Sequence, residues 1–313
     1  MANKNSPTGG LGEKRIDEPT GTAFVGHEWD GIEELDTPMP RWWLWCLYLS
    51  IIWGIVYVIL YPAWPMIDKA TEGTLGWTSR GQLAQEMDAA DLAKQSFREQ
   101  LAAVDVVKLQ DNPEIMQQAV AGGFAAFKVN CVQCHGSGAA GSQGLGYPNL
   151  ADDDWLWGGD LQSIEYTITH GIRQQGHDET RASAMPPYAG VIEGEQLAAL
   201  VDHVLSLSGK AESNAVGAAL YETNCVSCHG PSGEGDRVQG APTLADAIWL
   251  YGDNRADIAR QITAPRMGMM PKWEGRLDPV TIKMLAAYVH SLGGGEDAVE
   301  VAEEPAVETD EQS

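Results

Sequence analysis

Cys131-Val132-Gln133-Cys134-His135 is the stretch on which the fold of this chain turns. Two cysteines separated by two residues, with histidine directly after the second, form the attachment signature of a c-type haem. The spacing has a chemical reason. Two thiols one short turn apart each add to a vinyl group of one porphyrin, giving two thioethers, and the histidine is delivered to one face of the ring as an axial iron ligand. The pattern recurs at Cys225-Val226-Ser227-Cys228-His229, so four of the five cysteines are used. A zinc site or a CxxC redox pair needs neither a histidine there nor a second copy; covalent haem accounts for both. The fifth cysteine, Cys46, lies in an apolar stretch and reads as a small buried hydrophobe.

Working outward from the two motifs exposes an internal repeat. Gly123 and Gly217 lie 12 residues before their haem histidines, and Phe127 and Tyr221 lie eight before. Pro148 and Pro242 are both 13 beyond, Leu150 and Leu244 both 15, Trp155 and Trp249 both 20. Nine extra residues in the first copy, around 174–182, then break the register. It resumes past two Met-Pro pairs, where Leu197 and Ile282, Leu200 and Leu285, and Val204 and Val289 trace one helical face. The expectation is an all-α protein with two tandem cytochrome c domains, 112–209 and 210–293, divided near Gly209–Ser213.

An iron held by one histidine needs a sixth ligand. A methionine thioether stabilises the ferrous state and closes the iron to small ligands, which suits electron transfer. Met185, before Pro186, is the only methionine between the first motif and the last helix of its copy. Met267, Met269 and Met270 compete in the second copy, and the repeat selects Met270, which precedes Pro271. Whether each methionine serves the haem of its own copy or of the other stays open. His170 and His177 are rivals without counterparts in the second copy, and read as loop residues. His203 stands where the repeat has Tyr288, and reads as packing near the haem. Pro148 and Pro242 are placed to offer carbonyls to Nδ1–H of His135 and His229, which would orient each ring. The same prolines would also suit a simple turn.

Trp42 to Tyr61 contains no charge, and its 20 residues suffice to cross the hydrocarbon of a bilayer as a helix. Trp42, Trp43 and Trp45 at one end, with Tyr61 and Trp64 at the other, form aromatic belts, and Pro62 and Pro65 end the helix. The run begins too far from the N-terminus, and is too long, for a cleavable signal peptide. The expected order is therefore a cytoplasmic segment 1–40, mostly extended; a transmembrane helix within 41–64; and a helical connector over 65–111. Asn112 and Pro113 then mark a helix N-terminus. After the two haem domains, 294–313 is an acidic tail expected to be disordered. Haem c is attached outside the cytoplasm, in the bacterial periplasm or an equivalent space, and the expected localisation is a bacterial inner membrane with both domains periplasmic.

With Lys plus Arg at 20 against 44 for Asp plus Glu, the net charge is −24. Nucleic acid is an improbable partner, since phosphate contacts need clustered cations. A basic protein partner is the natural complement. No paired carboxylates, Ser-His-Asp set or phosphate loop stands out, and two six-coordinate irons leave no open site for a substrate. The residues describe a protein that moves electrons.

The run GHEWDGIEELDTPMPRWW (26–43), a helix ending in YPAWP (61–65) and two CxxCH domains with Met-Pro together resemble subunit III of cbb3-type cytochrome c oxidases, the CcoP/FixP family. The resemblance spans residues 24 to about 293. It implies two covalently attached haem c groups, one served by Cys131, Cys134, His135 and Met185, the other by Cys225, Cys228, His229 and Met270. It also implies a non-catalytic subunit that takes electrons from donor cytochromes c. These pass to a monohaem cytochrome c subunit and thence to the haem–copper catalytic subunit, where oxygen is reduced and protons are pumped. The alternatives are the membrane-anchored dihaem subunit of a periplasmic dehydrogenase, or a dihaem peroxidase, which would need one iron with a displaceable sixth ligand.

Overall fold

A computed structural model of the protein describes residues 15–297, in two compact units that divide at Leu92/Ala93. In the first, residues 16–35 form a three-stranded antiparallel meander, β1 (Ile16–Asp17), β2 (Thr22–Trp29) and β3 (Ile32–Leu35). This corrects the expectation of a mostly extended tail. The turn between β2 and β3 is Asp30-Gly31, with φ of 48° and 85°. Positive φ at both central residues is the geometry that Asp-Gly favours in tight hairpins, because its twist matches that of the strands. The fold is otherwise helical.

Helix α1 (Arg41–Leu60) starts directly after Pro40 and ends where Tyr61 turns extended. Its mean hydropathy is 2.1 and none of it is buried, so it is long and apolar enough to cross a membrane. Trp53, Tyr57 and Tyr61 stack at four-residue spacing, with centroids 5.3 and 5.0 Å apart. Cys46 is exposed on this helix rather than buried.

Helix α2 (Ser79–Ala103) runs into the second unit. Its last turn buries Leu101, which packs with Val106, Leu109, Ala119, Met284 and Ala287. Lys283 Nζ closes that end by donating to the carbonyls of Leu101 and Val104 at 3.1 and 2.6 Å. Helix α3 (Pro113–Asn130) begins with proline at its first position, as expected. The Asn112 side chain does not cap it; its amide donates back to Lys108 O.

The short helices α4 (Val132–His135) and α8 (Val226–His229) carry the CxxCH motifs, and follow α3 and α7 (Ala215–Asn224). Helices α5 (Leu161–His170) and α9 (Arg255–Thr263) are capped at matching repeat positions by Asp160 and Asn254, whose side chains accept from Ser163 N and Asp257 N. Helices α6 (Gly194–Leu207) and α10 (Pro279–His290) close each copy.

Packing does not follow the sequential division near 209–213. Helix α10, from the second copy, crosses α3 and α5 of the first, joining Ile282, Leu285 and Val289 to Phe127, Ile164 and Ile168. Helix α6, from the first copy, packs on α7 and α9 of the second, joining Leu200, Val201 and Val204 to Tyr221, Ile258 and Ile262. Connector length favours this exchange. Only residues 208–214 separate α6 from α7, and two helices joined by so short a loop become antiparallel neighbours.

The copies are related by an approximate two-fold relation, in which equivalent residues make reciprocal contacts. Gly146 lies against the Tyr251 ring, and its counterpart Gly240 against the Trp157 ring, the counterpart of Tyr251. The chain's last described residues are packed rather than loose, which corrects the start of the tail. Trp155 Nε1 donates to Gly294 O at 2.5 Å, and Glu296 takes a bidentate pair from Arg237 (2.7 and 2.5 Å) and accepts from Gly159 N. The rest of the tail, from 298, lies outside the described residues.

Candidate functional site

Each CxxCH helix is one turn long. Cys134 N and His135 N both donate to Cys131 O, at 3.1 and 2.9 Å, and Cys228 N and His229 N to Cys225 O at the same distances. All four motif cysteines are free thiols. Burial, helped by the neighbouring cysteine, pushes Cys131 and Cys225 up to about 11.

The loop after each histidine returns to hold it. His135 Nδ1 lies 3.2 Å from Pro148 O, and His229 Nδ1 2.9 Å from Pro242 O. A carbonyl only accepts, so Nδ1 carries the proton and Nε2 is left free as a metal ligand. Burial depresses the pKa of both histidines, against the opposing pull of the proline carbonyls, and so keeps them neutral, as ligation needs. The return requires Gly141 and Gly235, at φ of 65° and 78°. Their amides donate to His135 O and His229 O at 2.9 Å, and a Cβ at either would collide with the proline-bearing strand.

The methionines are exchanged with their helices. Met270 packs against the core of Phe127, Ile164 and Ile168, the same core that Cys131 and Val132 of the first motif pack against. Met185 packs against the core of Tyr221, Ile258 and Ile262, which Cys225 and Val226 of the second motif share. Met267 and Met269 are exposed. A reciprocal pair of backbone bonds between Ile172 and Met270 anchors the second methionine segment on the first copy. His203 packs on Tyr221, ring centroids 5.0 Å apart, as Tyr288 packs on Phe127 at 5.2 Å. His203 is thus a packing residue, and burial lowers its pKa. His170 and His177 are bonded to each other, Nδ1 to Nε2 at 2.9 Å. Lys272 Nζ is 3.4 Å from His177 Nδ1.

These residues fit haem. Among the described residues, Trp157 Nε1, Trp249 Nε1 and Arg266 Nε are buried donors without an acceptor. Porphyrin carboxylates are acceptors of the kind they lack. Trp249 itself packs in the cluster that holds Cys225 and Met185. A cleft of about 620 Å³ opens beside Val226, Ser227 and Cys228, faced by Asp154, Trp155, Arg237 and Asp246. In it the Asp154 carboxyl is pushed up to about 6, by burial first and then by the charges of Asp246, Asp152 and Asp153, against Arg237.

A helical chain with paired thiols, an oriented imidazole and a half-buried thioether around each motif is a c-type cytochrome. Its relatives agree on the type. The family model described as cytochrome c oxidase, cbb3-type, subunit III matches residues 118–204 and 212–289, and that of the N-terminal domain of cytochrome oxidase-cbb3, FixP, matches 21–68. The cbb3-type cytochrome c oxidase subunit CcoP of Cereibacter sphaeroides is 50% identical over 277 residues, which is 87% of this chain and 95% of that one. FixP subunits of Rhizobium meliloti and Bradyrhizobium diazoefficiens are 49% and 46% identical over 286 residues, each 90% of this chain and 98% of the relative. The chain belongs to the cbb3-type oxidase subunit III family, as a cytochrome c subunit of the oxidase.

Which methionine segment packs beside which motif was not legible in the repeat, since both copies carry the same helical faces. The one available signal was the short 208–214 connector.

Proposed function

We propose that this chain is the electron-input subunit of the oxidase. It accepts electrons from a donor cytochrome c and passes them through the monohaem subunit to the haem–copper subunit, where oxygen is reduced and protons are pumped. α1 is its single membrane anchor, with the N-terminus cytoplasmic and the cytochrome body periplasmic. When bound, haem c supplies reversible one-electron chemistry at iron.

In this reading Cys131 and Cys134 would tether one haem, with His135 and Met270 as the residues that would hold its iron. Cys225 and Cys228 would tether the other, with His229 and Met185. Pro148 and Pro242 hold each imidazole proton at Nδ1 and aim Nε2. The apolar walls of Phe127, Ile164, Ile168 and of Tyr221, Ile258, Ile262 exclude water, which favours the less charged ferrous state. Two protein ligands on each iron leave no coordination position for a substrate, so the chain relays charge without reacting.

The observation that carries this is the presence of one oriented histidine and one packed methionine in each of the two core clusters. A haem inventory of the purified complex tests it. Two c-type haems on this chain, both with a methionine-to-iron charge-transfer band, are expected. One haem, or a haem without the band, would overturn the relay.

A further inference from the structure

We propose that Arg173 is the shared positioning residue for both methionine segments, so that one side chain sets the sixth ligand of both irons. The proposal rests on the ligand assignment given above. Arg173 Nε donates to Ser183 O at 2.7 Å, and Arg173 Nη1 donates to Gly268 O at 2.7 Å. Ser183 stands two residues before Met185 and Gly268 two residues before Met270, so the two acceptors are equivalent positions of the repeat. One planar fork thus spans the approximate two-fold relation between the copies and grips each methionine segment at the same place.

The residue is itself held. Its neighbour Ile172 exchanges both backbone bonds with Met270, and Arg173 N donates to Arg181 O at 2.9 Å. Arg173 keeps a left-handed backbone, φ 54°, unusual for a side chain other than glycine. That strain persists because the surrounding bonds over-determine it. The nine residues that the first copy has in excess begin directly after Arg173. The second copy has Met267 and Gly268 in this stretch, and no arginine in the equivalent role.

A guanidinium is permanently charged and donates from separate nitrogens in fixed directions, so it sets the spacing and direction of the two carbonyls it bridges. The same charge, half-buried between the methionine segments, disfavours the ferric state of both irons. Two consequences follow for each haem from a single residue: the thioether is held near its iron, and the potential is raised.

The experiment uses the full-length haem-loaded chain in detergent, with Arg173→Met and Arg173→Lys variants. Redox titration, the methionine-to-iron band and binding of carbon monoxide to the ferrous haems are read together. In Arg173→Met, both potentials are expected to fall, the band to weaken for both haems, and carbon monoxide to bind where the native chain excludes it. Arg173→Lys keeps the charge but offers one ammonium in place of a fork, so its band should lie between those of the native chain and Arg173→Met. A change confined to one haem, or a Lys variant indistinguishable from the native chain, would overturn the proposal. If Arg173→Met fails to incorporate haem, the Lys variant decides alone by the same criteria. A native chain lacking the band on both haems would instead remove the ligand assignment, and this proposal with it.

Discussion

Ile172 and Met270, which belong to opposite copies of the repeat, exchange both of their backbone hydrogen bonds, at 2.9 and 3.0 Å. This antiparallel bridge ties the second copy's methionine segment to the residues that leave the first copy's α5. The two halves of the cytochrome body are therefore one interlocked fold, in which neither copy encloses its own methionine.

Met270→Leu is expected to act on the haem attached at Cys131 and Cys134, and Met185→Leu on the haem at Cys225 and Cys228. The potential of the affected haem should fall by a sizeable part of the roughly 0.8 V range that axial ligands command. The clean measurement uses a chain whose second motif is removed by Cys225→Ala and Cys228→Ala. There Met270→Leu should abolish the remaining charge-transfer band and Met185→Leu should spare it; the reverse result would return each methionine to its own copy.

Gly123 and Gly217 mark the two helix crossings. A Cβ on Gly123 would collide with Met284 O of α10, and one on Gly217 with Ala199 O of α6. Gly123→Ala or Gly217→Ala should cost about 1–3 kcal/mol, since backbone cannot yield as a side chain does. Gly138 has open space around it, and Gly138→Ala should fall within about 0.5 kcal/mol of the native chain. Thermal melts of the three variants separate these outcomes.

Asp154 predicts an unusual pH dependence. Its carboxyl titrates at about 6 in the folded state against an ordinary 3.8. Between those values the folded state binds the extra proton, so stability falls as pH rises through this window, and the full penalty remains above it. Asp154→Asn should therefore stabilise the protein at pH 7, by about 1–2 kcal/mol after allowing for partial solvent screening. The gain should vanish near pH 4. Melting curves at the two pH values check the sign.

The net charge of −24 predicts electrostatic steering of a basic donor. Oxidation of donor cytochrome should slow as salt is raised past physiological strength, where the screening length is about 8 Å. Stopped-flow rates against ionic strength are the measure, and rates that ignore salt would dissociate the acidic surface from donor docking.

The repeat positions of Gly123, Phe127, Pro148 and their counterparts each acquire a physical role: helix crossing, packing against Tyr288 and acceptance from the histidine. Asp30-Gly31 is a hairpin signal present in the chain, yet the apolar residues directly flanking it, Trp29 and Ile32, are exposed, so no core-facing stripe marks the two strands. Glu296 sits in a run of acids that composition alone assigns to disorder. Only the positions of Arg237 and Gly159 reveal its partners.

The sequence by itself determined the chemistry: two thiol pairs, two histidines, the methionines before proline, the helical faces and the apolar helix α1. These are local facts, set by spacing and period. Which copy's methionine meets which motif was decided only by the tertiary structure. Two near-equivalent helical faces bury almost the same apolar surface against either partner, so pattern cannot choose between them. The choice falls to chain connectivity, through the short loop joining α6 to α7, and to contacts such as Arg173 with Gly268 and Ile172 with Met270 that exist only once both copies are in place.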